Sequence, residues 1–264
     1  MKRYKSRKTD DEELLKEAII KLASKYGRYG YRRITALLRT EGWDVNHKRV
    51  ERLWRELGLR VPKKQKKRCR LYLGNGSCIR LKPLYQNHVW SYDCVEDRLA
   101  NGRKYKCLTI MDEFTRESLK IKVEYGIASK HVLEALSELF LIKGIPEFIR
   151  SDNGSEFIAK AVQDFIRDVG AKTAYITPGS PWENGYIEKF NGTLRDELLN
   201  REAFHTIIEA RAMAENFRNE YNKIRPHSSL NYMAPETFIL YQITNHNLVQ
   251  KQGLDSMGCP KTFY

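Results

Sequence analysis

Phe148-Ile149-Arg150-Ser151-Asp152-Asn153-Gly154 joins a short, largely apolar run to an acidic residue and a turn-forming Asn-Gly pair. The run predicts a strand from Phe148 to Ser151, and the turn ends it. Asp152 then stands at the carboxyl edge of a sheet, where open α/β folds place their sites. This stretch therefore predicts both an α/β fold and a first candidate site residue.

Strand-like and helix-like patterns alternate on both sides of this stretch. Runs of β-branched and aromatic side chains predict three consecutive antiparallel strands, over residues 89–95, 105–111 and 119–123. Apolar periodicity predicts the remaining elements, which are helices over 129–143, 157–169, 185–199 and 207–221 and a fifth strand over 173–176. Strands first, followed by alternating helices and strands, indicate a mixed α/β sheet flanked by helices.

All the excess positive charge lies in the first quarter of the chain. The 264 residues carry 47 Lys and Arg against 33 Asp and Glu, a net charge of +14. Residues 1–70 contain 23 basic and 9 acidic residues, whereas residues 71–264 contain 24 of each. A segment this basic predicts a polyanionic partner, most often a nucleic acid, with an anionic membrane surface as the lesser alternative.

The basic segment also has the pattern of a helix-turn-helix. A helix is predicted over residues 10–26, introduced by a capping box between Thr9 and Glu12, and a second helix stops near Gly42. The third helix is predicted over 47–57 after Asn46, a good N-cap. Its basic residues outside the apolar stripe are predicted to contact DNA, and they are Lys48, Arg49, Arg52 and Arg55. A small helical bundle with a solvated charged face is the alternative.

A dense basic run follows this domain and cannot fold by itself. It is interpreted as a phosphate-contacting linker through Lys63, Lys64, Lys66, Lys67 and Arg68. The predicted boundaries are 1–60 for the helical DNA-binding domain, 61–84 for the linker, 85–240 for the catalytic core and 241–264 for an irregular tail without periodicity.

Three acidic residues fall where chemistry would use them. Asp93 lies within the first strand, Asp152 closes the fourth, and Glu188 sits in the helix after a loop rich in Gly and Pro. Three converging carboxylates cannot all stay ionised without a compensating cation. Hard oxygen ligands without a Cys or His cluster select Mg²⁺ or Mn²⁺, and a pair of such ions suits phosphodiester chemistry. The pattern favours phosphoryl transfer on nucleic acid.

The sequence around these acids resembles a known family. Asp93, Ser-Asp-Asn-Gly-Ser-Glu-Phe at 151–157 and Asn-Gly-Tyr-Ile-Glu-Lys-Phe-Asn-Gly at 184–192 resemble the DDE core of retroviral-type integrases. The chain is most similar to bacterial insertion-sequence transposases of the IS-three group, in their second reading frame. Tyr-Gly-Tyr-Arg-Arg-Ile at 29–34 resembles that group's helix-turn-helix. Tyr-Asn at 221–222 and Arg-Pro-His-Ser-Ser-Leu at 225–230 resemble its C-terminal signature.

The resemblance implies a ribonuclease-H-like fold in which Asp93, Asp152 and Glu188 bind two Mg²⁺ ions, with Mn²⁺ as an expected substitute. It implies an enzyme that frees a 3′-OH at each element end by hydrolysis and joins it to target DNA by transesterification. The implied partners are double-stranded DNA, further copies of the chain, and an upstream-frame product that is either fused to it or acts with it. A catalytically inactive DNA-binding regulator and a plain metal-dependent nuclease of the same fold remain the alternatives.

Several residues near the three acids are given supporting roles. Asn184, Glu188, Asn191 and Arg195 share one face of the predicted helix, since offsets of 4, 7 and 11 residues nearly coincide at about 3.6 residues per turn. Lys189 and Arg195 are interpreted as DNA-phosphate contacts, with a solvated surface role equally favoured. The remaining supporting residues are Asn153, Gly154 and His227, for which a structural role is favoured, and Asp112 is expected to be a turn residue.

Composition excludes several other classes. No stretch has the roughly 20 apolar residues of a membrane helix, and the N-terminus lacks the apolar run of a secretion signal. The five cysteines are widely spaced and never form Cys-x-x-Cys, which argues against a zinc site or a disulfide framework. The expected location is the bacterial cytoplasm, at the nucleoid.

Overall fold

A computed structural model describes residues 11–62, 81–151, 160–175 and 184–256, with side chains up to residue 245. The chain divides into two compact units. The first comprises Met1–Ile79 together with Pro226–Tyr232, and the second comprises Arg80–Arg225 together with Met233–Tyr264. The predicted linker cations and three predicted site residues lie outside the described residues, namely Lys63, Lys64, Lys66, Lys67, Arg68, Asp152, Asn153 and Gly154.

The first unit contains the three helices that the sequence predicts. They are α1 (Glu12–Lys25), α2 (Tyr31–Thr40) and α3 (His47–Glu56). Asn46 caps α3 as predicted, because its side chain accepts a hydrogen bond from the backbone N–H of Lys48. The helices enclose an apolar core whose fully buried members are Leu15, Ile19, Ile34, Leu38, Val50 and Leu53.

The second unit is built on a five-stranded sheet of β1 (Val89–Arg98), β2 (Lys104–Asp112), β3 (Ser118–Glu124), β4 (Phe148–Ser151) and β5 (Lys172–Tyr175). Within the described residues the strand order is β3-β2-β1-β4-β5. The first three strands pair antiparallel, and β4 and β5 continue the sheet in parallel with β1. This is the mixed, ribonuclease-H-like sheet predicted above.

Helices cover both faces of this sheet. On one face lie α4 (Ser129–Lys143) and α5 (Lys160–Asp168), and on the other lie α6 (Gly185–Leu194) and α7 (Ile207–Lys223). Side chains alternate along β2, so that Leu108 and Ile110 pack under α4 while Cys107 packs on the opposite side. The two faces therefore have separate apolar cores, and α6, which carries Glu188, lies over only one of them.

The C-terminal segment differs from the prediction. Helix α8 spans Pro235–Ser256, where an irregular tail was predicted from residue 241 onwards. Residues 236–252 contain no Pro or Gly, so nothing in the local sequence interrupts a helix. Leu240, Tyr241 and Ile243 of this helix are exposed, whereas the ring of Phe238 contacts that of Phe114, with centroids 5.8 Å apart. Among the described residues, no helix is long and apolar enough to cross a bilayer.

Candidate active site

Asp93 lies at the centre of a hydrogen-bonded cluster on the α6 side of the sheet. It is half-buried in the middle of β1, opposite Thr109 of β2. Its Oδ2 accepts a hydrogen bond of 2.8 Å from Nδ2 of Asn191, and its Oδ1 accepts one of 2.7 Å from the backbone N–H of Cys94. Both carboxylate oxygens are therefore held by donors, which fixes the plane of the carboxylate.

Asn191 connects Asp93 to Thr109 through the two ends of its amide. The Oγ1 hydroxyl of Thr109, which is fully buried, donates to Oδ1 of Asn191 over 2.8 Å. The amide orientation follows from its partners, because an ionised carboxylate can only accept and must face the NH₂ group. Asn191 thus ties α6 to both β1 and β2. Its supporting role at the site stays a prediction.

Glu188 lies three residues before Asn191 on α6, so the two side chains lie on one face of the helix. Glu188 is exposed, whereas Asn191 is buried. Strand β4 ends at Ser151, directly before Asp152, and pairs Arg150 with Ser91 of β1. Within the described ranges no three His, Cys, Asp or Glu side chains gather into a metal-binding group, and Asp152 is outside those ranges.

Helix α6 is anchored by apolar packing and by α7. Its Ile187, Phe190 and Leu194 are buried, as the adjacent apolar stripe predicts. The ring of Tyr221 on α7 meets the ring of Phe190 edge-on, with centroids 4.9 Å apart. Phe190 is two residues from Glu188, so Tyr221 helps to fix the helix that carries this acid.

Two polar contacts attach the end of α7 to the rest of the unit. Asn222 accepts from the backbone N–H of Ser118 and donates to its carbonyl, at 2.8 and 2.9 Å. Arg225 forms a two-bond ion pair with Glu197, at 2.7 and 2.8 Å, and both side chains are largely buried. Both positions belong to the predicted C-terminal signature, for which the sequence indicates no role. In the structure they attach the end of α7 to Ser118 and to Glu197.

The predicted helix 185–199 changes its winding at its end. Arg195–Leu199 forms a π-helical turn directly after α6. Leu198 and Leu199 of this turn are both buried. Arg195, predicted to contact DNA, donates from Nη2 to the backbone carbonyl of Glu96 over 2.8 Å, and it remains exposed.

Sequence reasoning missed a buried ion pair beside β4. Nη1 of Arg150 lies 2.7 Å from both carboxylate oxygens of Glu113, with side-chain exposures of 4% and 0%. Nη2 of Arg150 also donates to the carbonyl of Leu81 over 2.9 Å. An Arg inside a short buried strand was the available signal, but its partner lies 37 residues away and no local pattern identifies it.

Asp112 is confirmed as a turn residue. Its Oδ1 accepts from the backbone N–H groups of Phe114 and Thr115, and its Oδ2 accepts from the N–H of Asn87. Burial raises the pKa of this carboxyl, although these hydrogen bonds oppose the rise. Through these hydrogen bonds, the Asp112 carboxylate closes the turn between β2 and β3.

The four cations predicted on α3 fall into two groups. Arg49 pairs with Asp11 at 2.7 Å, and Arg52 pairs with Glu12 at 2.8 Å, so both attach α3 to the start of α1. Lys48 and Arg55 are exposed, with Arg55 paired to Glu51 within the helix. Glu12, expected in a capping box, uses its buried carboxylate for Arg52 instead.

The remaining predicted residues lie at separate places. Asn184 precedes α6 and is buried, and its Oδ1 finds no hydrogen-bond partner among the described residues. Lys189 is exposed on α6. His227 is buried within the segment that groups with the first unit, where its backbone carbonyl accepts from Leu230 and Tyr232.

Family models match most of the chain in three parts. A helix-turn-helix-like domain matches residues 9–67, and two integrase core domain models match residues 84–181 and 169–235. Among solved structures, the catalytic core of HTLV-2 integrase in complex with magnesium is 20% identical, over 56% of this chain and 94% of that chain, with a TM-score of 0.45. The catalytic core of BIV integrase is 18% identical, over 61% and 99%, with a TM-score of 0.46.

Curated relatives match over nearly the whole length. An uncharacterized 31.7 kDa protein of insertion element IS407 from Burkholderia multivorans is 40% identical over 89% of this chain and 84% of its own length. The transposase for insertion sequence element IS904 from Lactococcus lactis is 30% identical over 91% of this chain and 99% of its own. With its helix-turn-helix-like segment and integrase core domain, the chain belongs to the family of insertion-sequence transposases.

Proposed function

We propose that this protein cleaves DNA at the ends of a mobile element and joins the freed 3′-OH to target DNA. The observation that carries the proposal is the bonded set of Asp93, Asn191 and Thr109, with Glu188 three residues before Asn191 on α6, inside an integrase core domain. The Asn191 amide uses both of its ends to hold the half-buried carboxylate in one orientation, which is the arrangement expected of a residue that positions a metal ligand. Family membership supports DNA as the substrate.

Asp93, Asp152 and Glu188 are the residues that would hold two Mg²⁺ ions, or Mn²⁺ in their place. The two described donors, Asp93 and Glu188, fit such ions, because carboxylates are the hard oxygen ligands that Mg²⁺ and Mn²⁺ prefer. When bound, the metal would polarise the phosphodiester and favour ionisation of the attacking hydroxyl.

The chain's own residues would orient the reaction. Asn191 holds the Asp93 carboxylate in one plane, and the anchored helix α6 limits the movement of Glu188. Water would be the first nucleophile and the DNA 3′-OH the second, so no serine or tyrosine is required as a covalent nucleophile. Asn153, Gly154 and Asn184 would shape the loops around the acids, and Lys189 and Arg195 would contact DNA phosphates.

The proposal includes a division of labour and partners. Residues 1–60 would bind DNA, residues 61–84 would link the domains with cations on DNA phosphates, and residues 85–240 would carry the chemistry. Two element ends must be brought together for joining, so we also propose a homo-oligomer, with the upstream-frame product fused to the chain or acting alongside it.

The test is a joining assay on labelled double-stranded DNA with Mg²⁺ or Mn²⁺, comparing the wild type with Glu188→Gln. Glu202→Gln is the matched control, because it removes one exposed carboxylate beyond the π-helical turn. Joined products that require metal, survive in the control and vanish in Glu188→Gln would support the proposal. Nicks without joining would indicate a nuclease, and DNA binding without products in the chain and in its upstream-frame fusion would indicate an inactive regulator.

A further inference from the structure

The turn between β2 and β3, residues 112–118, buries charged side chains that bond to other elements of the second unit. Glu113 and Glu117 are both at most 4% exposed. Glu113 pairs with Arg150 of β4 over 2.7 Å, and Glu117 pairs with Lys143 at the end of α4 over 2.6 Å. The turn is therefore fixed to β4 and to α4.

Arg116 has a backbone conformation in this turn that its residue type rarely adopts. Its φ angle is 63°, in the left-handed region that favours glycine. Such a residue persists only where its surroundings hold it, and here Nη1 of Arg116 donates to the backbone carbonyl of Glu113. Glycine would adopt this conformation with less strain, so the presence of arginine points to a use of its side chain.

The guanidinium of Arg116 also lies over the ring of Tyr186, in the first turn of α6. Its central carbon is 3.8 Å from the ring centre, well within the range of cation–aromatic contacts. Tyr186 is partly buried and packs against the apolar core under α6. Glu188 belongs to the same helical turn, two residues further on. Arg116 thus contacts α6 at the turn that carries this acid.

A chain of contacts connects this part of α6 to the end of β4. The ring of Tyr186 meets the guanidinium of Arg116, which bonds to the backbone of Glu113. The carboxylate of Glu113 bonds in turn to Arg150. Arg150 is the penultimate residue of β4, and Asp152 follows the strand in the sequence. The helix that carries one acid is therefore attached to the strand that precedes another.

We propose that Arg116 is a positioning residue, which fixes the first turn of α6, and with it Glu188, relative to the end of β4. The inference rests on the proposed function, in which Asp152 and Glu188 belong to one metal-binding set, and it deepens that function by naming a residue that sets their relative placement. Metal ligands must be held to within about 0.5 Å of their productive geometry. Phe190 and Asn191 anchor α6 further along, and Arg116 holds its start.

The experiment measures Mn²⁺ binding to the full chain, from the electron paramagnetic resonance signal of the free ion. Tyr186→Leu removes the ring, and Arg116→Gly removes the guanidinium without straining the backbone. Tyr125→Leu is the matched control, because Arg103 lies over this ring at 3.5 Å, at the opposite end of the β2–β3 hairpin. Circular dichroism shows whether each variant is folded. The two variants remove the contact from opposite sides, so either one tests it if the other does not fold.

We expect Tyr186→Leu and Arg116→Gly each to raise the Mn²⁺ concentration for half-saturation by about 10-fold, the lower end of the range for residues that orient metal ligands. Tyr186→Phe keeps the ring and should bind Mn²⁺ like the wild type, as should Tyr125→Leu. In a folded double variant the two losses should not add, because both changes remove the same contact.

Three results would overturn the inference alone. They are wild-type Mn²⁺ binding in folded Tyr186→Leu or Arg116→Gly, additive losses in the double variant, and an equal loss in Tyr125→Leu. A wild type that binds no Mn²⁺ would overturn the inference together with the proposed metal site.

Discussion

The two faces of the central sheet use the same strands for different purposes. Under α4 and α5 the sheet presents Trp90, Leu108 and Ile110, which are fully buried and apolar. On the opposite face, under α6, the same strands present Asp93 and Thr109, which are joined through Asn191. Because neighbouring residues of a strand point to opposite faces, the face under α4 can serve as apolar core alone, and we call it the apolar face. The face under α6, the polar face, combines its own apolar core with the polar groups of the site.

This difference predicts the largest effect on stability for the apolar face. Leu136→Ala removes a fully buried side chain of α4 and leaves a cavity, and it should lower the free energy of unfolding by about 2–5 kcal/mol. Denaturant unfolding followed by circular dichroism measures this loss. At a temperature where the variant stays folded, the metal concentration for half-maximal joining should not change. A change in that concentration would contradict the separate roles of the two faces.

On the polar face the effect should appear in the chemistry. Asn191→Ala removes the donor to Asp93, and it should reduce joining by about 10–100-fold, the range typical of residues that orient metal ligands. The metal concentration for half-maximal joining should rise as well, which a purely structural defect in folded protein would not produce.

Asn219→Ala on α7 is the matched control, since this amide contacts only the exposed Glu215 among the described hydrogen bonds. Equal losses in both variants would contradict the positioning role of Asn191.

A smaller effect is expected from Cys107, which lies on the same face as Asp93 but inside the apolar core. Burial raises the pKa of its thiol to about 12, from an ordinary value of 9.0. The thiol ionises at a lower pH in the unfolded chain than in the folded chain. The stability that the buried neutral thiol contributes is therefore complete below pH 9 and is lost as pH rises towards 12.

Cys107→Ala should therefore flatten the fall in the free energy of unfolding above pH 9, where a pKa difference of one unit corresponds to about 1.4 kcal/mol. Denaturant titrations from pH 8 to about pH 10 on both proteins measure the difference. Parallel pH curves for the two proteins would show that the thiol is not sheltered as described.

The sequence predicts what depends on local pattern. Alternation and turn signals predict β4 at its observed bounds, and helical spacing predicts that Glu188 and Asn191 share a face. Partners distant in sequence could not be predicted. Arg150 meets Glu113 and Arg49 meets Asp11 across 37 and 38 residues, and Arg49 had been predicted to contact DNA. The C-terminal helix was missed because the sequence from residue 241 onwards shows no apolar periodicity.

The hydrogen bonds between α7 and β3 have a consequence for solubility. β3 is an edge of the described sheet, and an open edge offers free backbone groups to which another chain can add a strand. Asn222 satisfies both backbone groups of Ser118, and Arg211 donates to the carbonyl of Val123 over 2.9 Å. These side chains take the place of a neighbouring strand at both ends of β3, and so protect the sheet from edge-to-edge aggregation.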